Sequence, residues 1–221
     1  MKKLFVTFAF LGLMVGGAHA GVVLGTSNPA GTPLITDAGA VSGPMFVNVV
    51  SNNPPNDIMS GWNFTLKIAP ETGASGTLTF QDPGNGPAPI PPSYIFGGDS
   101  IGITAVNGGN QLGASDFFDT NIGNGVAVPG TPGSNLLQMD FLASSNALGL
   151  FGVYALEGAP LTEWTDGNSN PQLFSNVPDG TGMVLIGEVL ILGSVPEPSS
   201  LVLLALGCTA LAGWRWRRNR K

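Results

Sequence analysis

The run Trp62-Asn63-Phe64-Thr65-Leu66-Lys67-Ile68 alternates large apolar side chains with polar ones at a period of two. Successive side chains of an extended strand point to opposite faces, so Trp62, Phe64, Leu66 and Ile68 share one face while Asn63, Thr65 and Lys67 share the other. A helix would scatter both sets around its axis. The stretch therefore predicts a half-buried antiparallel strand. Met45–Val50, Gly76–Phe80, Ser100–Val106, Leu136–Ala143, Gly149–Leu156 and Met183–Leu192 read in the same way. The last is apolar on both faces, with Glu188 as its only charge, and is expected to sit centrally in a sheet. Asp116–Asp119 reads as a short helical turn or loop.

Glycine, proline, asparagine and serine recur every several residues between these runs, and no stretch from Gly21 to Ser194 reads as a long helix. Two proline- and glycine-rich breaks, Asp82–Ser93 and Ile122–Asn135, are expected to be extended surface loops. Neither separates segments large enough to form two cores. About six to nine short strands divided by turns predict one domain, a single antiparallel β-sandwich, all-β. No internal repeat is visible, which argues against a propeller or β-helix.

The chain has 221 residues and a formal charge of −6, and that sum conceals three unlike parts. Residues 1–20 carry Lys2 and Lys3, and residues 195–221 carry Arg215, Arg217, Arg218, Arg220 and Lys221 against Glu197. Between them, 13 acidic residues face a single base, Lys67, so residues 21–194 hold −12. Phosphate binding needs clustered lysine and arginine, which excludes nucleic acid as a natural partner of this middle part. The one histidine, His19, and the one cysteine, Cys208, both lie outside it. The middle part can form no internal disulfide and offers no thiolate or imidazole for metal binding or nucleophilic catalysis.

Both ends read as targeting segments. Lys2 and Lys3, the uncharged run Leu4–Gly17 and the small residues Ala18 and Ala20 have the order of a secretory signal peptide cleaved before Gly21. The other end runs Val195-Pro196-Glu197-Pro198, then Ser199-Ser200 and the apolar run Leu201–Trp214, together a membrane helix over 199–214, then the basic tail 215–221. The prolines cannot continue a strand or sit inside a helix, so this is an extended, protease-accessible hinge. The apolar stretch is short for a membrane helix, but the flanking tryptophans and arginines suit the interface and lengthen its reach. The basic tail would stay cytoplasmic, placing the acidic part outside the inner membrane. Cys208, mid-run, reads as a small apolar filler.

This order resembles the PEP-CTERM sorting signal of Gram-negative bacteria, with Pro196, Glu197 and Pro198 as its triplet, Leu201–Trp214 as its membrane helix and Arg215, Arg217, Arg218 and Arg220 as its basic end. The resemblance implies recognition by an exosortase, a membrane-embedded cysteine protease, after signal peptidase has acted. Transient anchoring would end in transfer to the cell surface or the exopolysaccharide matrix. A permanently anchored protein is the alternative. The strand order of the middle part resembles cohesin-like and carbohydrate-binding β-sandwiches, and a jelly roll fits nearly as well.

Catalytic residues are not expected. Glu157, Glu163 and Asp166 are the nearest carboxylate group for glycoside hydrolysis, and a glycan-active enzyme is the rival class, but their spacing matches no such site. Calcium is the metal that these residue types permit, because it takes only oxygen ligands. Asp166, Asn168 and Asn170 place oxygens at alternate positions, yet Pro171 stands where the turn glycine belongs and Val177 where the bidentate glutamate belongs. Asp116, Asp119, Asn121 and Asn124 form a second oxygen-rich group, and Gly97-Gly98-Asp99 matches part of a glycine-rich calcium repeat. Among the aromatic residues that could stack on a sugar, Trp62 belongs to a core face. Trp164, beside an asparagine-rich turn, is expected to be exposed and is the candidate ligand platform; Tyr94 and Tyr154 are further candidates. Lys67 reads as a solvated lysine without a partner.

Overall fold

The computed structural model describes residues 21–157, 161–177 and 179–193. The signal-peptide reading with Ala18 and Ala20, the sorting triplet, the helix at 199–214 and the basic tail all lie outside the described residues. Within them the chain forms fourteen strands and no helix.

Seven strands correspond to the segments expected from period-two patterning: β3 (Met45–Ser51), β4 (Ile58–Pro70), β5 (Leu78–Asp82), β7 (Thr104–Asn107), β10 (Ser134–Ala143), β11 (Gly149–Leu156) and β14 (Met183–Leu192). The remainder are β1 (Val22–Thr26), β2 (Leu34–Asp37), β6 (Gly86–Pro87), β8 (Gln111–Phe117), β9 (Val126–Ala127), β12 (Glu163–Asp166) and β13 (Pro171–Gln172). Asp116 and Phe117 are thus the end of a strand, not the start of a helical turn. The two long breaks are loops apart from Asp82, which ends β5, Ser134 and Asn135, which begin β10, and the two-residue pairings of β6 and β9.

The strands form two sheets. One has the order β1-β3-β10-β5, all antiparallel; the other runs β2-β14-β11-β4-β8-β7-β6, with β12, β13 and β9 attached off that path. The only parallel pairing among the described strands joins β2 to β14. That leaves β14 flanked on both sides, the internal position its double-faced apolarity demands.

β4 is the spine. From Trp62 to Ile68 its side chains alternate buried and half-buried, as the quoted heptapeptide requires. Its 13 residues exceed any single partner. β8 covers Gly61–Lys67 on one side, while β11 covers Leu66–Pro70 and β12 covers Met59–Asn63 on the other. Thr65 falls between the last two, and its N–H donates to the Thr162 hydroxyl at 3.3 Å, which accounts for a threonine with no exposed surface.

The core lies between the sheets: Met45, Val47, Val49, Leu137, Met139 and Phe141 from one, Phe64, Leu66, Phe151, Val153, Val189 and Ile191 from the other. A register shift in β10 between Asn135 and Leu137 puts both Leu136 and Leu137 inside, so alternation there breaks by one residue. Both open sides of the sandwich are closed. The Thr26 hydroxyl donates to the Ile186 carbonyl at 2.8 Å along β14, and the Phe80 N–H donates to the Gly109 carbonyl at 2.7 Å on the other side. Gly125, with φ of +127°, lies so close to the β4 backbone that a Cβ there would overlap the Met59 carbonyl.

Candidate functional site

At the pole where β4 begins, the chain leaves an open cleft of about 760 Å³. Asp57 and Ile58 enter it at the start of β4, Trp164 and Asp166 from β12, and Gln172 and Phe174 from the segment after it; Asn56, Asn124, Asn168, Ser175 and Asp179 add to the polar lining. Three carboxylates and four carboxamides converge with no basic residue among them. Its volume falls within the range of small-molecule sites, roughly 300–1,000 Å³.

Trp164 corrects the expectation of an exposed platform. It is 6% exposed, and its indole N–H donates to the Leu173 carbonyl at 3.2 Å. β12 pairs with β4 so that Trp164 lies opposite Trp62, which turns it into the core and leaves only an edge at the cleft. It cannot offer a sugar its full ring face.

Asp166 heads a tight turn. One carboxylate oxygen accepts the backbone N–H groups of Asn168 and Asn170, each at 2.9 Å, and the Asn170 amide donates to both oxygens at 3.3 Å. The Asn170 backbone donor is the main cause that holds the Asp166 carboxyl below the usual carboxylate range, with the Asn168 donor adding to it. The Asp166 carboxylate thus closes a local turn through the backbone of Asn168 and Asn170, the reason asparagine and aspartate favour turns.

The second oxygen-rich group does not assemble. Asp116 is 1% exposed and points into the core. Its carboxylate accepts the hydroxyls of Tyr94 and Ser100, the Gly102 N–H at 3.1 Å and the Phe117 N–H at 2.7 Å. The Tyr94 hydroxyl in turn accepts the Trp62 indole N–H at 3.2 Å. Burial, then the adjacent carboxylate, pushes the Tyr94 phenol well above its ordinary range. Asp119 instead accepts the backbone and side-chain amides of its neighbour Asn121, at 2.9 and 2.7 Å.

Neither tyrosine is a free stacking surface. Tyr94 is locked as above, and the Tyr154 hydroxyl donates to Glu71, which raises its phenol to about 12. Nor do Glu157, Glu163 and Asp166 form a catalytic cluster. Glu157 accepts the Gly182 N–H at 3.1 Å, Glu163 accepts the Asn63 amide at 3.3 Å, and Asp166 closes its own turn. Among the described residues, no three His, Cys, Asp or Glu side chains are grouped to hold a metal. Asp99, in the Gly97-Gly98-Asp99 stretch, forms a turn whose N–H donates to the Phe96 carbonyl at 2.9 Å. Lys67 is half-buried beside Gln111 and Glu157 in a second hollow. Neither the Asp116 knot nor the cleft was foreseen from sequence; the parity of β8, Leu112-Gly113-Ala114-Ser115-Asp116, is the signal that marks Asp116 as inward.

Residues 194–221 match the family model described as the PEP-CTERM protein-sorting motif. The chain therefore carries that sorting motif at its C-terminal end. No curated protein matches the sequence. Among solved structures, the sandwich is similar to cohesin modules. The second type II cohesin of the adaptor ScaA scaffoldin of Acetivibrio cellulolyticus has 13% identity and a TM-score of 0.47, over 82% of this chain and 97% of that one. The chain from the OlpA type I cohesin–dockerin complex of Clostridium thermocellum has 13% identity and a TM-score of 0.45, over 78% of this chain and 99% of that one. The cohesin module of a Clostridium perfringens family 33 glycoside hydrolase has 8% identity and a TM-score of 0.46, over 79% of this chain and 99% of that one. The described residues hold no helix long and apolar enough to cross a membrane.

Proposed function

We propose that the chain is an exported surface or matrix protein, processed by signal peptidase and then by an exosortase-type protease, whose sandwich has a non-enzymatic structural or binding role. The sorting motif at 194–221 carries this reading, because its triplet, apolar stretch and basic end stand in the order that such processing needs. Anchored during sorting, the sandwich lies outside the inner membrane with the arginine-rich end cytoplasmic. Removal of both basic ends then leaves an acidic body of about −12, which resists anionic lipid and nucleic acid. The intact mass of the mature protein tests this directly. Loss of residues 1–20 and of the basic tail is expected; a mature form that retains Arg215–Lys221 would show a permanent anchor instead.

For the binding role we assign the cleft at the start of β4, with a polysaccharide as its ligand class. Carboxamides and carboxylates suit sugar hydroxyls, and the lack of a base in the lining favours neutral over acidic glycans. A thermal-shift panel of neutral and acidic polysaccharides, with and without calcium, is the measurement. A shift with neutral glycans that is lost in Gln172→Ala supports the assignment, and no shift with any polysaccharide leaves the sandwich a structural component.

A further inference from the structure

The pole opposite the cleft is where the tether to the sorting motif leaves the sandwich. Here β4, β10, β14 and β2 all end, and the strands carry the chain about 40 Å from Ile58 to this point. Leu192, the last residue of β14, is 45% exposed, and Leu148, 49% exposed, reaches within 3.2 Å of where a Gly193 Cβ would stand. The Leu192 carbonyl accepts the Ala38 N–H at 3.1 Å, and the Gly39 N–H donates to Ser144 at 3.1 Å. That short segment leads directly to Val41, 54% exposed and bridged to Leu142, 38% exposed. Two exposed aliphatic pairs, Val41 with Leu142 and Leu148 beside Leu192, thus lie at this end of the sandwich.

From Gly193, seven residues lead to Leu201, where the apolar stretch begins, a span of about 27 Å at full extension. That reach is shorter than the sandwich is long, so the tether holds this pole, and not the cleft, next to whatever bilayer contains the stretch. The patch is aliphatic, without tryptophan, tyrosine or arginine, the side chains that anchor protein interfaces.

We infer that this pole is a lipid-facing surface. Before processing, Val41, Leu142, Leu148 and Leu192 rest on the outer face of the bilayer and orient the sandwich upright with its cleft outward. The inference rests on the anchored intermediate of the proposed function. Asp37, exposed at the same pole, opposes contact with anionic lipid, so the surface suits zwitterionic bilayers best.

The test uses the full chain with Cys208→Ala, which removes the only cysteine. Single cysteines replace Leu148, Val41 or, at the cleft end, Ile122, which is 59% exposed. Each carries an environment-sensitive fluorophore, and the chain is reconstituted into phosphatidylcholine vesicles containing spin-labelled quencher lipid. Flotation with the vesicles comes first; a chain that fails to float overturns the anchored intermediate, and the lipid-facing pole with it. In floated samples, labels at 148 and 41 should be quenched several-fold more than the label at 122, less so when phosphatidylglycerol is added. Equal quenching at all three positions in a floated chain overturns the lipid-facing pole alone. Shielding at 148 and 41 that needs an added protease, and shows no lipid quenching, assigns the patch to a protein partner and overturns it equally.

Discussion

Two aspartates, Asp116 and Asp166, each accept four hydrogen bonds from their surroundings, yet they stand in opposite relations to the fold. Asp116, itself buried, gathers donors that arrive from Tyr94, Ser100 and Gly102 as well as from its own strand, the Tyr94 bond in the core and the other three partly buried. Asp166 gathers its donors from the next four residues, at the rim of the open cleft. The first joins distant segments and the second closes a local turn. A carboxylate in a low-dielectric interior must be satisfied or its burial becomes costly, whereas a solvated one can exchange any lost partner for water. The same residue type thus holds the core together in one place and shapes a surface in the other.

Asp116→Ala should expose this difference most strongly. It leaves the buried Tyr94 hydroxyl and three partly buried donors without their acceptor, and a loss on the order of 3 kcal/mol in urea unfolding is expected. A loss no larger than that of Asp166→Ala would break the distinction. Asp116→Asn keeps two of the four donors satisfied in place and should fall in between.

Tyr94→Phe narrows the test to one atom. It removes the hydroxyl that accepts from Trp62 and donates to Asp116, leaving an indole N–H buried without a partner. About 2 kcal/mol should be lost with the fold intact, seen as an unchanged far-ultraviolet spectrum and a lowered urea midpoint.

The two tyrosines extend the comparison to alkaline pH. Tyr154 sits near the surface, and its phenol, raised from 10.0 to about 12, should titrate in the folded protein, while the buried Tyr94 should ionise only on unfolding. The folded value lies above the unfolded one, so the contribution to stability is complete below pH 10.0 and falls as pH rises toward about 12. Ultraviolet difference titration should show one reversible phenol and then a cooperative step. Two phenols ionising together near the ordinary value would contradict the burial of Tyr94.

How much of this was legible follows from what each pattern encodes. The alternation at 62–68 reports one strand's two faces, and β4 obeys it residue by residue. Burial of the heptapeptide's apolar face needs only that some sheet lie opposite. Trp164 was misread because its neighbours Glu163 and Thr165 look solvated, whereas the pairing of β12 with Trp62, about a hundred residues upstream, decides its direction. Asp116 had the parity of an inward residue, but a charge at that parity argues against a strand until its partners are known, and those come from the loop ahead of β7. The cleft is assembled from four separated segments, and no local pattern announces it.

The smallest expected effect belongs to Asp166. Its carboxyl is held below the usual range by the Asn170 and Asn168 backbone donors, and its folded value therefore lies under the unfolded 3.8. The contribution to stability is present above that unfolded value and is lost as pH falls through the folded one. At neutral pH, Asp166→Ala should lower the melting temperature slightly, and Asp166→Asn less, since an amide oxygen can still close the turn. Calcium sharpens the same point. With one carboxylate oxygen already accepting two backbone N–H groups, a millimolar excess of calcium over chelator should leave the melting temperature of the wild-type chain unchanged. A calcium-dependent rise that disappears in Asp166→Ala would mean that the turn opens to bind the cation, and the contrast with Asp116 would then be one between a fixed structural carboxylate and a switchable ligand.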